Sequence, residues 1–140
     1  KKSEKKDEPQ RAYLDGVLKS QPALAEAQQL TRKAADVSFD WPDRDQVLEK
    51  LHEELDELDS AETQDEVEAE LGDILFVLVN LARKHGVDAE QALRRTNKKF
   101  RHRFGYIEEQ LKKSGKDLKS SSLEEMDQLW NQAKTSQSAS

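Results

Sequence analysis

Residues 68–82 read EAELGDILFVLVNLA, and a little upstream residues 51–58 read LHEELDEL. The longer stretch is the most apolar run of the chain, and its bounds decide the fold. Thr63 with Glu66 three residues on forms an N-terminal capping pair, and Gly86 supplies a stop, so one helix is expected from Thr63 to His85. Between Leu71 and Ala82 that helix is apolar on nearly every side, which predicts a central position. Before it, Asp43 and Gln46 open another helix, with Val47, Leu51, Leu55 and Leu58 as its apolar stripe.

The same signals recur outward from this pair. Residues 22–37, PALAEAQQLTRKAADV, carry Leu24, Ala27, Leu30, Ala34 and Val37 near the 3.6 period behind Pro22. The FDWP corner at 39–42 then interrupts the chain, because a residue before proline avoids the helical region. A long helix is expected from Asp88 to Ser114 before Gly115, and a short one opens at Ser122 with Glu125 completing its cap. There is no hairpin signal, internal repeat or glycine-rich phosphate loop. The expected fold is all-α, a helical bundle of about four to five helices completed by dimerisation. The domain is expected over 21–134, with a polar linker or tail over 1–20 and a disordered tail over 135–140.

Composition narrows the function classes. Charged residues make up 37% and hydrophobic ones 34%, a mix that suits amphipathic helices but gives a thin core, so a second copy would help bury the apolar faces. A net charge of −6 argues against nucleic acid as a partner. Without cysteine there is neither a disulfide framework nor a thiol site. No apolar run reaches the ~20 residues that cross a bilayer, and the N-terminus lacks the apolar region of a secretory signal, so a cytoplasmic protein is expected. The first residue is not Met, which points to a segment of a longer chain.

Between Glu49 and Asp73 lie twelve acids and a single base, Lys50. Glu54 and Glu57 share one helix face, and Glu70 and Asp73 share another, each pair being three residues apart. Such runs are commonly solvated faces. If the two helices pack antiparallel, however, the pairs meet, and carboxylates ~5–6 Å apart repel by roughly 3 kcal/mol per pair at an effective dielectric of ~20. Protonation or a cation must relieve that repulsion. Asp73, beside Ile74, Leu75 and Val77, has little room for a hydrated carboxylate, and Gly72 either permits tight packing or keeps space open. Oxygen-only ligands select a hard ion, Mg²⁺ first and Mn²⁺ next. A di-iron bundle needs two Glu-x-x-His motifs; Glu49 and His52 give one and the second is missing.

A basic complement follows. LRRTNKKFRHRF, residues 93–104, holds six Lys and Arg residues and no acid, with Lys99 and Arg103 one turn apart and Phe100 and Phe104 beside them. The plain interpretation is a surface helix; the sharper one is that Lys99 and Arg103 neutralise an anion held against a metal. A divalent cation clasped by acids, with Lys and Arg opposite, suits polyphosphate chemistry, and a nucleoside triphosphate with Mg²⁺ fits that arrangement. The rival class is a non-catalytic helical dimerisation or partner-binding module.

FDWP, EELDEL, ELGDILFVLVNLAR, NKKFRHRF and SLEEMDQLW occur here in the order and spacing found in the MazG family of nucleoside triphosphate pyrophosphohydrolases. The chain resembles in particular the C-terminal half of the two-domain bacterial members. The resemblance implies an all-α homodimer hydrolysing nucleoside triphosphates, ribo or deoxy, to monophosphate and pyrophosphate with Mg²⁺, as nucleotide-pool housecleaning. Carried over position by position, it implies Glu54, Glu57, Glu70 and Asp73 as metal ligands, and Glu53 or Glu54 as the acceptor of a water proton. It places Lys50, Asn97, Lys99, Arg103 and Trp130 near the nucleotide, although packing of the last helix on the core is an equally simple role for Trp130. One departure is Ser38, where the family often has Gly before Phe.

Overall fold

A computed structural model describes residues 12–138, with side chains to residue 136. Of the linker or tail expected over 1–20, residues 1–11 lie outside the described residues, as do residues 139 and 140. Among the described residues five helices follow one another: α1 Ala23–Ala35, α2 Arg44–Asp59, α3 Gln64–Lys84, α4 Ala89–Lys113 and α5 Leu123–Ser138. There is no strand among the described residues, so the fold is all-α. The last helix continues past the boundary expected at 134. The chain divides between Glu90 and Gln91 into two compact units.

The helix starts follow from capping. Asp43 accepts a hydrogen bond from the Gln46 amide at 3.0 Å, Thr63 from Glu66 at 3.2 Å, and Ser122 from Glu125 at 3.1 Å. The ends are equally explicit. After α3 the Val87 amide donates to Ala82 O at 2.9 Å around Gly86, and after α4 the Lys116 amide donates to Leu111 O at 2.9 Å around Gly115. Both glycines have positive φ, 68° and 73°, the geometry in which a left-handed residue closes the helix.

In the first unit α3 packs on both α2 and α1. Val47 from α2, Ile74, Val77 and Val79 from α3 and Val17 before α1 are its buried apolar residues. Residues 12–20, expected as linker, form turns tied down here: Tyr13 donates its hydroxyl to Lys33 O at 3.0 Å while Val17 is buried. Gln28, buried on α1, bridges the turn after α3, donating to Val87 O at 3.0 Å and accepting from the Ala89 amide at 2.7 Å. That second bond satisfies one of the unpaired amides at the start of α4.

Two expectations need correction. α3 is not enclosed: Leu71, Leu75, Phe76 and Leu78 are exposed, Leu75 at 54%. With neighbours only at α1 and α2 in its unit, a helix apolar all round must leave a side uncovered. On α2 the residues buried are Val47 and Glu54, not Leu55; Leu51 and Leu58 are half-buried and Leu55 is exposed. The second unit holds Ile107 and Leu111 of α4 and Ala133 of α5 as buried apolar residues. Tyr106 donates to Gln132 at 3.2 Å, and Lys116 pairs with Glu125 at 2.6 Å.

Candidate metal centre

A loop of four residues joins α2 to α3, so the two helices return antiparallel and their acids meet. Glu54, Glu57 and Glu70 each offer an oxygen, and all three oxygens lie within 4.8 Å of one another. Glu54 is 4% exposed, Glu70 half-buried and Glu57 exposed. Glu57 and Glu70 also line an open cleft of about 360 Å³ with Asp56, Ser60, Ala61 and Glu66, which gives solvent a route to the acids.

The buried acid has a cationic partner. Lys50 Nζ lies 2.9 Å from Glu54 Oε1 and 3.5 Å from Glu53, whose side chain is largely in solvent. As carboxylates, Glu54 Oε2 and Glu70 Oε2 are both buried with no protein partner. Unpaired buried oxygens of like charge are costly, and a proton relieves them when no cation does. Hydrogen bonding to Glu54, then burial, pushes the Glu70 carboxyl up to about 7. The Lys50 ammonium, first among its contacts, holds the Glu54 carboxyl below the ordinary range. The donor set is all oxygen, converges within one ion's reach and has unsatisfied lone pairs, so these residues fit a hard divalent cation.

Asp73 is not among the three acids whose oxygens converge. It is exposed on α3, one turn after Glu70; of the apolar neighbours expected to crowd it, Ile74 and Val77 are buried and Leu75 is exposed. At Gly72 an added Cβ would meet no atom of this chain within 4 Å, so a close approach within the chain is not the reason for that glycine.

The remaining sequence candidates sit in the second unit. Asn97 and Lys99 are exposed on α4. The Arg103 guanidinium lies 5.5 Å from the centre of the Trp130 ring, and Phe100 leans on the same indole at 5.5 Å between centroids. Trp130 thus packs against Phe100 and Arg103 of α4 within its unit.

The FDWP corner carries more than its helix-breaking proline suggests. Phe39 and Trp41 line an open cavity of about 490 Å³ with Leu14, Leu30, Phe76 and Asn80 among others. Asp40 fastens the corner to α3, accepting from Arg83 at 2.6 and 3.0 Å and from Lys84 at 2.8 Å. Read along the chain, Asp40 and Arg83 are 43 positions apart, and no local pattern links them.

Residues 43–106 match the MazG nucleotide pyrophosphohydrolase domain. The chain is 44% identical over 113 residues to the nucleoside triphosphate pyrophosphohydrolase/pyrophosphatase MazG of Thermotoga maritima, covering 81% of this chain and 44% of that protein. It is 37% identical over 139 residues to a nucleoside triphosphate pyrophosphohydrolase of Escherichia coli K12, covering 96% and 53% respectively. Over 68 residues it is 57% identical to the uncharacterized protein YabN of Bacillus subtilis, covering 49% of this chain and 14% of YabN. The chain thus spans about half the length of the two pyrophosphohydrolases it matches.

Proposed function

Because the chain belongs to the MazG family, we propose that it hydrolyses nucleoside triphosphates, ribo or deoxy, to monophosphate and pyrophosphate with Mg²⁺, in nucleotide-pool housecleaning. The observation that carries this reading is Glu54: a buried carboxylate with one oxygen on Lys50 and the other unpartnered, converging with Glu57 and Glu70.

In this reading Glu54, Glu57 and Glu70 hold the ion, with Asp73 reaching it from the next turn of α3. The bound ion supplies charge neutralisation on the phosphates and a more acidic water. The residues do the rest. Glu54, engaged and buried, serves as a ligand, whereas Glu53 is solvated and free to accept the proton of the attacking water. Lys50 offsets negative charge beside it. Lys99 and Arg103, with Asn97, are assigned to the phosphates as cationic and polar contacts, and Trp130 to the base. The strip Leu71, Leu75 and Leu78 follows one side of α3 in solvent, which supports pairing with a second copy.

The test is pyrophosphate release from the eight common NTPs and dNTPs, with and without Mg²⁺. Release should require Mg²⁺ and drop by at least about a hundredfold in Glu54→Ala. Equal, negligible release by the native chain and by the variant would end the enzyme reading.

A further inference from the structure

Lys50 is the one base among the acids from Glu49 to Asp73, and its position is not explained by helix stability. A lysine four residues before a glutamate is the weaker order for an ion pair along a helix, so the pair adds little to α2. What distinguishes Lys50 is where its ammonium sits. It is 2.9 Å from Oε1 of Glu54, whose side chain is 5% exposed, while the lysine side chain itself is 36% exposed. The ammonium therefore stands at the mouth of the cluster, one side on a buried anion and the other in water.

The second oxygen of Glu54 is buried with no donor, and the carboxylate converges with those of Glu57 and Glu70. An entering divalent ion needs that carboxylate, and a cation already neutralises it. Two cations sharing one carboxylate repel, so one must give way. Lys50 is the one able to move: it is tethered by a flexible stem, and its charge regains full hydration a short swing away. Glu53, 3.5 Å from the ammonium and mostly solvated, offers a second resting place on the way out.

We propose that Lys50 is a built-in counter-ion, occupying Glu54 while the cluster is empty and displaced when a divalent ion enters. This rests on the metal-dependent reading above and adds to it an exchange: the protein gives up one internal cation for each ion bound at Glu54. The displaced ammonium is then free for an anion arriving with the metal.

The experiment is calorimetric titration of Mn²⁺, and separately Mg²⁺, into the full chain without nucleotide, alongside Lys50→Gln and Lys50→Arg. Removing the resident charge should tighten metal binding by about fivefold to tenfold, while Lys50→Arg stays near the native value. The metal-free melting temperature of Lys50→Gln should fall, and the gap should close at saturating metal. Unchanged or weaker affinity in Lys50→Gln overturns the exchange alone. No heat and no thermal shift in any of the three proteins overturns the metal reading and the exchange with it. Should Lys50→Gln fail to fold, the native chain still decides: amine acetylation located by mass spectrometry should rise severalfold at Lys50 on adding Mg²⁺, and unchanged protection overturns the proposal.

Discussion

Ser38 shows how a single position can be out of register with its backbone. Its φ is +69°, with the Phe39 amide donating to Ala34 O at 3.0 Å and the Ser38 amide to Ala35 O at 2.9 Å. This is the same closure that Gly86 and Gly115 make after α3 and α4, here performed by a residue with a Cβ. A left-handed L-residue costs about 1–2 kcal/mol, partly offset by the smaller entropy it loses compared with glycine. Ser38→Gly should therefore stabilise the chain by about 0.5–1 kcal/mol, seen as a higher urea midpoint with the slope unchanged; a lower midpoint would refute the strain. The resemblance marked this position through its usual glycine, but only the backbone angle gives the reason. Glu54, Glu57 and Glu70 were legible for a different cause: spacing fixes which side chains share a helix face, and a short loop brings the two faces together. The surroundings of Asp73 were not legible, because an apolar neighbour in sequence need not be a buried one.

At the scale of elements, capping residues marked the helix bounds, whereas the joints between helices rest on distant partners. The joint between the FDWP corner and α3 is made by Asp40 with Arg83 and Lys84, and Lys84 also donates to Trp41 O at 2.6 Å. The hydrogen bonds from Arg83, ahead of the other contacts, lower the Asp40 carboxyl to about 2 from 3.8. A carboxyl whose folded value lies below its unfolded one adds stability above the unfolded value and loses it as pH falls through the folded one. Asp40→Asn should then cost about 1 kcal/mol at pH 7, a figure reduced for solvent screening, with the difference shrinking between about pH 4 and pH 2. Urea denaturation of both proteins at pH 7 and pH 2.5 measures it. A penalty of the same size at both pH values would mean that packing, not charge, holds the corner.

For the whole molecule the outstanding feature is apolar surface left on α3. Leu71, Leu75 and Leu78 lie along one side at 41–54% exposure, more than scattered surface leucines would give. The proposed homodimer predicts sedimentation equilibrium at twice the 16.0 kDa chain mass and a shift to monomer in Leu75→Glu. A native chain that stays monomeric at tens of micromolar would leave that strip needing another partner. Among the described residues no helix is long and apolar enough to cross a membrane, so the strip is not a span.

The sequence by itself determined the helices, their order, their caps and which acids share a helix face, because period and spacing act within a few residues and survive any arrangement of the whole. Tertiary structure alone decided which faces are covered: that Glu54 rather than Leu55 is buried, that α3 keeps a bare side, that Lys50 sits on the buried acid, and that Asp40 binds a helix far along the chain. Burial depends on what stands opposite a side chain, and that neighbour is supplied by packing.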